Sequence, residues 1–322
     1  MKDDENNDQG QHTGLIERFA NLLIHADYVL IVAGAGMSAE SGLSTYECMP
    51  EEYRELCNPL ALVQQTERFQ QFWSNSGNTY GACQPHRGYD ILKKWCTDSS
   101  DEKQRLPNLK SYWIYTSNVD GHFRRVFPTN RICEIHGFAG EFCCPNKMGI
   151  QLDGTKRRGA LWEKWNALVD KHRSQGTECG PWGIVGKDGA MACPSCGLPG
   201  RPNVLMFHDT DENILRHIDE RRAAYQAWEA HVENDVVQGG KKLVILELGC
   251  GTNVPALRIE SEEVLRDCMQ SSADASVVLV RVNPKDSKAD DIDLADHVLS
   301  IPLNALIALC AADEMITQTT PA

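Results

Sequence analysis

The sequence predicts an α/β fold, a doubly wound parallel sheet with a small inserted cysteine module. Two features predict it. Short apolar runs alternate with segments of helical period along most of the 322 residues, and nearly continuous apolar strands are those covered on both faces of a parallel sheet. Between Cys143 and Gly200 the alternation stops, and cysteines, glycines and Pro181 surround one amphipathic stretch, "LWEKWNALVDKHR".

In chain order, the opening "MKDDENNDQGQHTG" is acidic and polar with no apolar core, which predicts a disordered tail over 1–13 and neither a secretory signal nor a transit peptide. "LIERFANLLIHA" from Leu15 has helical spacing and leads into the strand "YVLIVAG". A polar, cysteine- and aromatic-containing segment follows, then a helix near "GYDILKKW" and the strands "YWIYTSN" and "RICEIHG". Beyond the cysteine module come the strand-like "PNVLMF", a long helix over "DERRAAYQAWEAHVE", the strand "KLVILELGCG", a helix near "ESEEVLRDCMQ", the strand "SVVLVRVN" and a final helix in "IPLNALIALCAA". The expected division is a main domain from 14–142 and 201–312, a module at 143–200, and a tail at 313–322.

Composition narrows the function. A hydrophobic fraction of 42% and a charged fraction of 24% are those of a globular chain, and no apolar run approaches the roughly 20 residues that span a bilayer. A net charge of -13 disfavours a nucleic-acid or anionic-membrane surface and suits a basic partner such as a lysine-bearing peptide. The 13 cysteines, without a secretory signal, point to an intracellular chain, cytoplasmic or nuclear, and to metal binding ahead of disulfides.

The stretch Gly34-Ala35-Gly36-Met37-Ser38-Ala39 follows a strand and fits a glycine turn that can hold a pyrophosphate. No second strand ending in an acidic residue follows about 20 positions later, so a dehydrogenase is not supported. The hydroxyls of Ser38, Ser41 and Ser44 suit phosphate or ribose, or cap the next helix. Other strand ends carry Ser117, Asn118 and Asp120, then Gly249, Gly251, Thr252 and Asn253, then Asn283 and Asp286. In an open α/β sheet these ends line the ligand crevice, and together they favour a nucleotide site.

The ordered set GAG-x-S-x-x-SG, SN-x-D, "EIHG", C-x-x-C, "RPNVLMF", "ELGCGTN" and VN-x-x-D, from about Val29 to Val298, resembles the sirtuin family of NAD-dependent protein deacylases. Its wording is similar to a bacterial sirtuin-like branch. The resemblance implies a Rossmann-like domain, a small zinc module and NAD in the cleft between them. It implies a reaction in which the acyl group of a modified lysine passes to ADP-ribose as nicotinamide leaves. His136 would be the general base, with Asn118 and Asp120 holding the nicotinamide ribose and carboxamide. Gly34, Ala35, Gly36 and Ser38 would hug the phosphates, Tyr46 and Ser117 would face nicotinamide, Gly251, Thr252 and Asn253 would contact the adenosine side, and Asn283 its ribose. Cys193 and Cys196 have zinc-knuckle spacing; Cys144 stands at the family's first-ligand position and Cys179 completes the expected set, with Cys143 or His172 as substitutes.

The chain also departs from the family. Glu47 stands where sirtuins carry an arginine, and His208 where they carry a glycine that admits the substrate backbone. An NAD glycohydrolase or ADP-ribosyltransferase on the same fold, or a catalytically weak NAD-binding interaction module, are the competing expectations. Acyl preference and oligomeric state are not legible in the sequence.

Overall fold

The computed structural model describes residues 2–97, 105–143, 182–183, 199–209, 211–271 and 275–319. Helix α1 (Lys2–Ile24) enters strand β1 (Tyr28–Ala33), followed by the short α2 (Ala35–Ala39), α3 (Glu51–Arg54) and α4 (Leu60–Gln64), then α5 (Thr66–Ala82) and α6 (Arg87–Cys96). After β2 (Ser111–Thr116) come α7 (His122–Val126), β3 (Ile132–Glu134), β4 (Gly137–Cys143), β5 (Trp182–Gly183) and β6 (Arg201–Val204). The chain closes with α8 (Glu212–Gly239), β7 (Lys242–Leu248), α9 (Ala256–Ser271), β8 (Ser276–Val282), β9 (Val298–Ile301) and α10 (Ala305–Thr319).

The main sheet has the order β3-β2-β1-β7-β8-β9, with every neighbouring pair parallel. This is the doubly wound fold expected from the apolar runs. Strand β1 shows why they are continuous. Val29, Ile31 and Ala33 enter one core with Phe19, Leu23, Trp95 and Leu309, while Tyr28, Leu30 and Val32 enter the opposite core with Tyr225, Trp228 and Leu265. Both faces are covered, so neither parity needs a polar residue. Sequence order reverses between β1 and β7, which puts the switch-point crevice at their carboxyl ends.

Four details differ from the sequence reading. The backbone of 2–13, expected as a disordered tail, continues α1; no proline interrupts 2–24, so a helix anchored by buried Ile16, Phe19 and Leu23 propagates toward the N-terminus. Helix α10 likewise runs to Thr319 through the expected 313–322 tail, because Ile316 is buried and Asp313 accepts from Trp95 Nε1 at 2.9 Å. The polar segment after Glu47 is largely helical: α5 buries Phe69, Gln70, Trp73, Ser74 and Gly77 on one face. Finally, β6 of "RPNVLMF" joins β4 and β5 in a small antiparallel sheet, which begins at Gly137, inside the span assigned to the main domain. The expected zinc ligands Cys144, Cys179, Cys193 and Cys196, and the substitute His172, lie outside the described residues.

Behind the sheet, α8 and α9 enclose an acidic cluster. Tyr225 donates to Glu229 at 2.8 Å and Tyr115 donates to Glu260 at 3.1 Å. Burial, reinforced by Glu260, Glu233 and Asp267, pushes the Glu229 carboxyl up to about 7. The folded state therefore holds its proton more tightly than the unfolded chain, and stability attached to it is lost as pH rises from the unfolded value through the folded one. Glu229→Gln should match the wild-type melting midpoint near pH 5 and exceed it by about 2–4 °C at pH 8, as read by thermal unfolding at both pH values.

Candidate functional site

The crevice is built where the main-chain ends of three strands are pinned together. Gly34 N donates to the Leu248 carbonyl at 3.0 Å, Gly36 N to the Gly249 carbonyl at 2.9 Å, and Gly249 N to the Val282 carbonyl at 3.0 Å. The glycines are required by this approach. A Cβ on Gly36 would lie 2.8 Å from Gly249 Cα, and one on Gly34 would lie 2.7 Å from the Gly249 carbonyl oxygen. Gly249 itself has φ +60°, a region that favours glycine. The turn is thus a backbone-on-backbone cradle over which an extended anionic cofactor can pass without meeting side chains.

A polar lattice ties this turn to the end of β2. Thr116 Oγ1 donates to the Ala33 carbonyl at 2.7 Å, and Asn118 N donates to Thr116 Oγ1 at 3.1 Å. Asn118 Nδ2 then donates to the Gly34 carbonyl at 2.8 Å and to Ser38 Oγ at 2.9 Å. The Ser38 hydroxyl in turn donates to Asp120 Oδ2, and His122 N donates to Asp120 Oδ1 at 2.7 Å. Ser38, Asn118 and Asp120 are all buried. The SN-x-D and GAG-x-S motifs, 80 residues apart, thereby form one unit.

His136 stands in the turn between β3 and β4. Its ring bonds the Ser117 backbone, and burial, helped by the charge of Arg222, holds its pKa below the ordinary 6.5 against that bond. The imidazole is neutral at pH 7, the state a general base needs. The Gly137 that follows has φ +79°, and a Cβ there would fall 2.1 Å from the Asn203 carbonyl oxygen. The HG pair therefore sets a neutral imidazole on one residue and allows close passage of β6 on the next.

At the end of β8, Asn283 is buried, donates to the Cys250 carbonyl at 2.8 Å and accepts from Lys285 N and Asp286 N at 2.9 and 3.0 Å. Its amide is committed to shaping the loop. Gly251, Thr252 and Asn253 are exposed at the β7 end. Asn253 Nδ2 donates to the Glu47 carboxylate, which spans the mouth of the crevice. Tyr46 packs on Phe207 with ring centroids 5.2 Å apart, under the Arg54 guanidinium at 5.5 Å. With Phe207, His208 and Gln65 they line a cavity of about 470 Å³. His208 keeps φ +60°, the backbone a glycine would adopt. Cys143 packs with Ile214 and Ile218, and burial pushes its thiol up to about 12.

Several residues that build the site carried no motif. Arg281 on β8 pairs with Glu247 on β7 at 2.9 Å and with Glu262 on α9 at 2.9 Å, all buried in the second layer of the sheet. Arg258 clasps Asp290 through two bonds of 2.7 Å and donates to the Asp286 carbonyl at 2.7 Å. A charged residue inside an otherwise apolar strand, as in "VILELG" and "VLVRVN", is the signal that marks Glu247 and Arg281. His86, Tyr89 and His122 also reach the Asn118–Asp120 lattice from outside any expected motif.

The fold and crevice define a nucleotide-binding α/β protein of the doubly wound class. No family model matches the sequence. The chain is 27% identical over 203 residues to an NAD-dependent protein deacetylase of Shouchella clausii, covering 61% of this chain and 68% of that one. It is 31% identical over 116 residues to NAD-dependent protein deacetylase 1 of Geobacillus kaustophilus, covering 34% of this chain and 43% of that one. With the mitochondrial NAD-dependent protein lipoamidase sirtuin-4 of Bos taurus it shares 25% identity over 210 residues, 61% of each chain. These matches span from under half to about two thirds of the relatives' lengths. Among solved structures, a complex of a Sir2 homologue with NAD aligns over 94% of both chains with a TM-score of 0.57 at 15% identity, a likeness of fold. In sequence the chain is similar to NAD-dependent protein deacylases of the sirtuin type.

Gly36→Ala should lower stability by about 1–3 kcal/mol, because the backbone of Gly249 cannot give way to a methyl group, and should weaken NAD binding at the same time. Thermal unfolding and calorimetric titration with NAD read the two effects.

Proposed function

We propose that this chain is an NAD-dependent protein lysine deacylase that transfers the acyl group to ADP-ribose and releases nicotinamide. The observation that carries the reading is a neutral His136 bonded to the Ser117 backbone, next to the locked Ser38–Asn118–Asp120 lattice. The deacetylases and the lipoamidase it resembles add support.

NAD, when bound, supplies the electrophilic ribose carbon and the leaving nicotinamide. The glycine cradle at 34–36 suits its pyrophosphate, Ser117, Asn118 and Asp120 its nicotinamide half, and Gly251, Thr252, Asn253 and Asn283 its adenosine half. Asn118 is pre-oriented by its two bonds to Gly34 and Ser38, so it can hold a ribose without reorganising. His136 takes the proton from a ribose hydroxyl, activating it toward the acyl carbon. Tyr46, Phe207 and His208 present an aromatic wall for the acyl chain and substrate backbone. The positive φ of His208 supports a peptide path here, because the main chain follows the course glycine would take. Cys144, Cys179, Cys193 and Cys196 are the proposed ligands of a structural zinc, which elemental analysis of the purified protein checks.

His136→Ala should reduce peptide-dependent nicotinamide release by about a hundredfold or more, with O-acyl-ADP-ribose lost in parallel, on chromatography of the products. Release that is unchanged in this variant removes His136 as the base, and release without any acyl peptide favours hydrolysis or ADP-ribosyl transfer. Because the folded His136 titrates below 6.5, the wild-type rate should hold down to that pH before its acid limb begins. Glu47 places a carboxylate on the Asn253 amide at the crevice mouth, so Glu47→Gln should tighten NAD binding by about two- to fivefold at low salt, with the gain shrinking as salt screens the charge.

A further inference from the structure

The deacylase reading leaves one buried group without a task. His122 is fully buried, and among the described residues its ring nitrogens meet no side-chain partner, only the Cys83 backbone. Its Nδ1 lies 4.0 Å from Asp120 Oδ1, while its own backbone N–H donates to the same oxygen at 2.7 Å. Tyr89 meets the ring edge-on at 5.5 Å and is itself fully buried, its hydroxyl facing Ser38. As simple filling this is a poor choice, because a phenyl ring would occupy the space without burying two polar nitrogens.

We propose that His122 is a positioning residue for Asp120, setting the charge of the carboxylate that the site presents to the nicotinamide end of the cofactor. This rests on the deacylase reading for what Asp120 faces. With a neutral imidazole, the Asp120 side chain is held by the Ser38 hydroxyl on one oxygen and the His122 amide on the other. It can then accept a hydrogen bond from the amide group of a carboxamide. When His122 takes up a proton, its Nδ1–H turns to Oδ1 and the new charge pair draws the carboxylate away from Ser38. The lattice through Ser38 and Asn118 loosens with it.

The groups facing His122 fix the direction of its titration. Burial is the largest influence and holds its pKa below 6.5; Asp120 opposes this, Arg125 of the same helix adds to it, and the Cys83 carbonyl favours the proton. Arg125 is anchored over the site by the carbonyls of Cys83, Tyr80 and Gly81 at 2.6, 2.7 and 2.9 Å. From α6, His86 adds a further repulsion, its Nε2 occupied at 2.9 Å by the Met37 carbonyl and its own pKa lowered by burial. Tyr89 and, from α5, Tyr80 stay neutral, both pushed up by burial with Asp120 adding to it. His122 is therefore neutral at pH 7, and it switches only on the acid side.

The test is the NAD dissociation constant of the full chain from pH 8 to pH 5.5, by calorimetry, for the wild type, His122→Phe and His122→Asn. The wild-type constant should rise about tenfold across this range, and in both variants by less than about twofold; the Asn variant carries the test if the Phe variant does not fold. Variants that keep the wild-type rise overturn the proposal. In parallel, the His122 ring is titrated by NMR in the unliganded wild type and in Asp120→Asn. Its pKa should fall when the aspartate charge is removed, and an unchanged value also overturns the proposal. If the wild type fails to bind NAD at any pH, the cofactor reading falls, and the NMR titration alone decides the coupling of His122 to Asp120.

Discussion

The site depends on one constraint, the contact between the turn after β1 and the turn after β7. Parallel strands end side by side, and here the main chain of one turn donates directly to the main chain of the next, from Gly36 to Gly249 and from Gly249 to Val282. Side chains are excluded from this contact at Gly34, Gly36 and Gly249 because a Cβ would fall within 3 Å of opposing backbone. Once these turns touch, Asn118 can reach the Gly34 carbonyl and Ser38 can reach Asp120. Residues from distant parts of the chain become one surface without any long side chain being ordered for the purpose.

Around that contact the protein spends its charges unevenly. The chain is strongly acidic, yet buried arginines hold the β7 and β8 ends: Arg281 joins Glu247 to Glu262, and Arg258 closes the loop at Asp286 and Asp290. Each buried charge has a partner, which is the condition for tolerating it inside the sheet. At the crevice mouth the balance is different, with Glu47 set on Asn253 and Arg54 turned to the Glu47 and Met49 carbonyls beneath it.

Legibility followed periodicity. The strands of the main sheet stood out because apolar residues on both parities leave a run that only a doubly covered strand explains, as at Tyr28–Ala33 and Lys242–Leu248. The segment from Glu51 to Ala82 did not, since α5 buries Gln70, Ser74 and Gly77 beside its two aromatics and its stripe is not apolar. Strand β9 and the antiparallel pairing of β4 with β6 were equally hidden; the first is four residues long, and the second is joined through a break in register between Phe138 and Phe142.

By itself the sequence determined the fold class and the glycine turn, and it set Asn118, Asp120 and His136 near strand ends, because strand ends are readable from apolar period. The tertiary structure decided which of them work together. It turned the Asn283 amide inward to hold Cys250, placed Glu47 on Asn253, and set His122 beside Asp120. Those outcomes depend on distances across the sheet between residues far apart in the chain, and linear spacing carries no information about such distances.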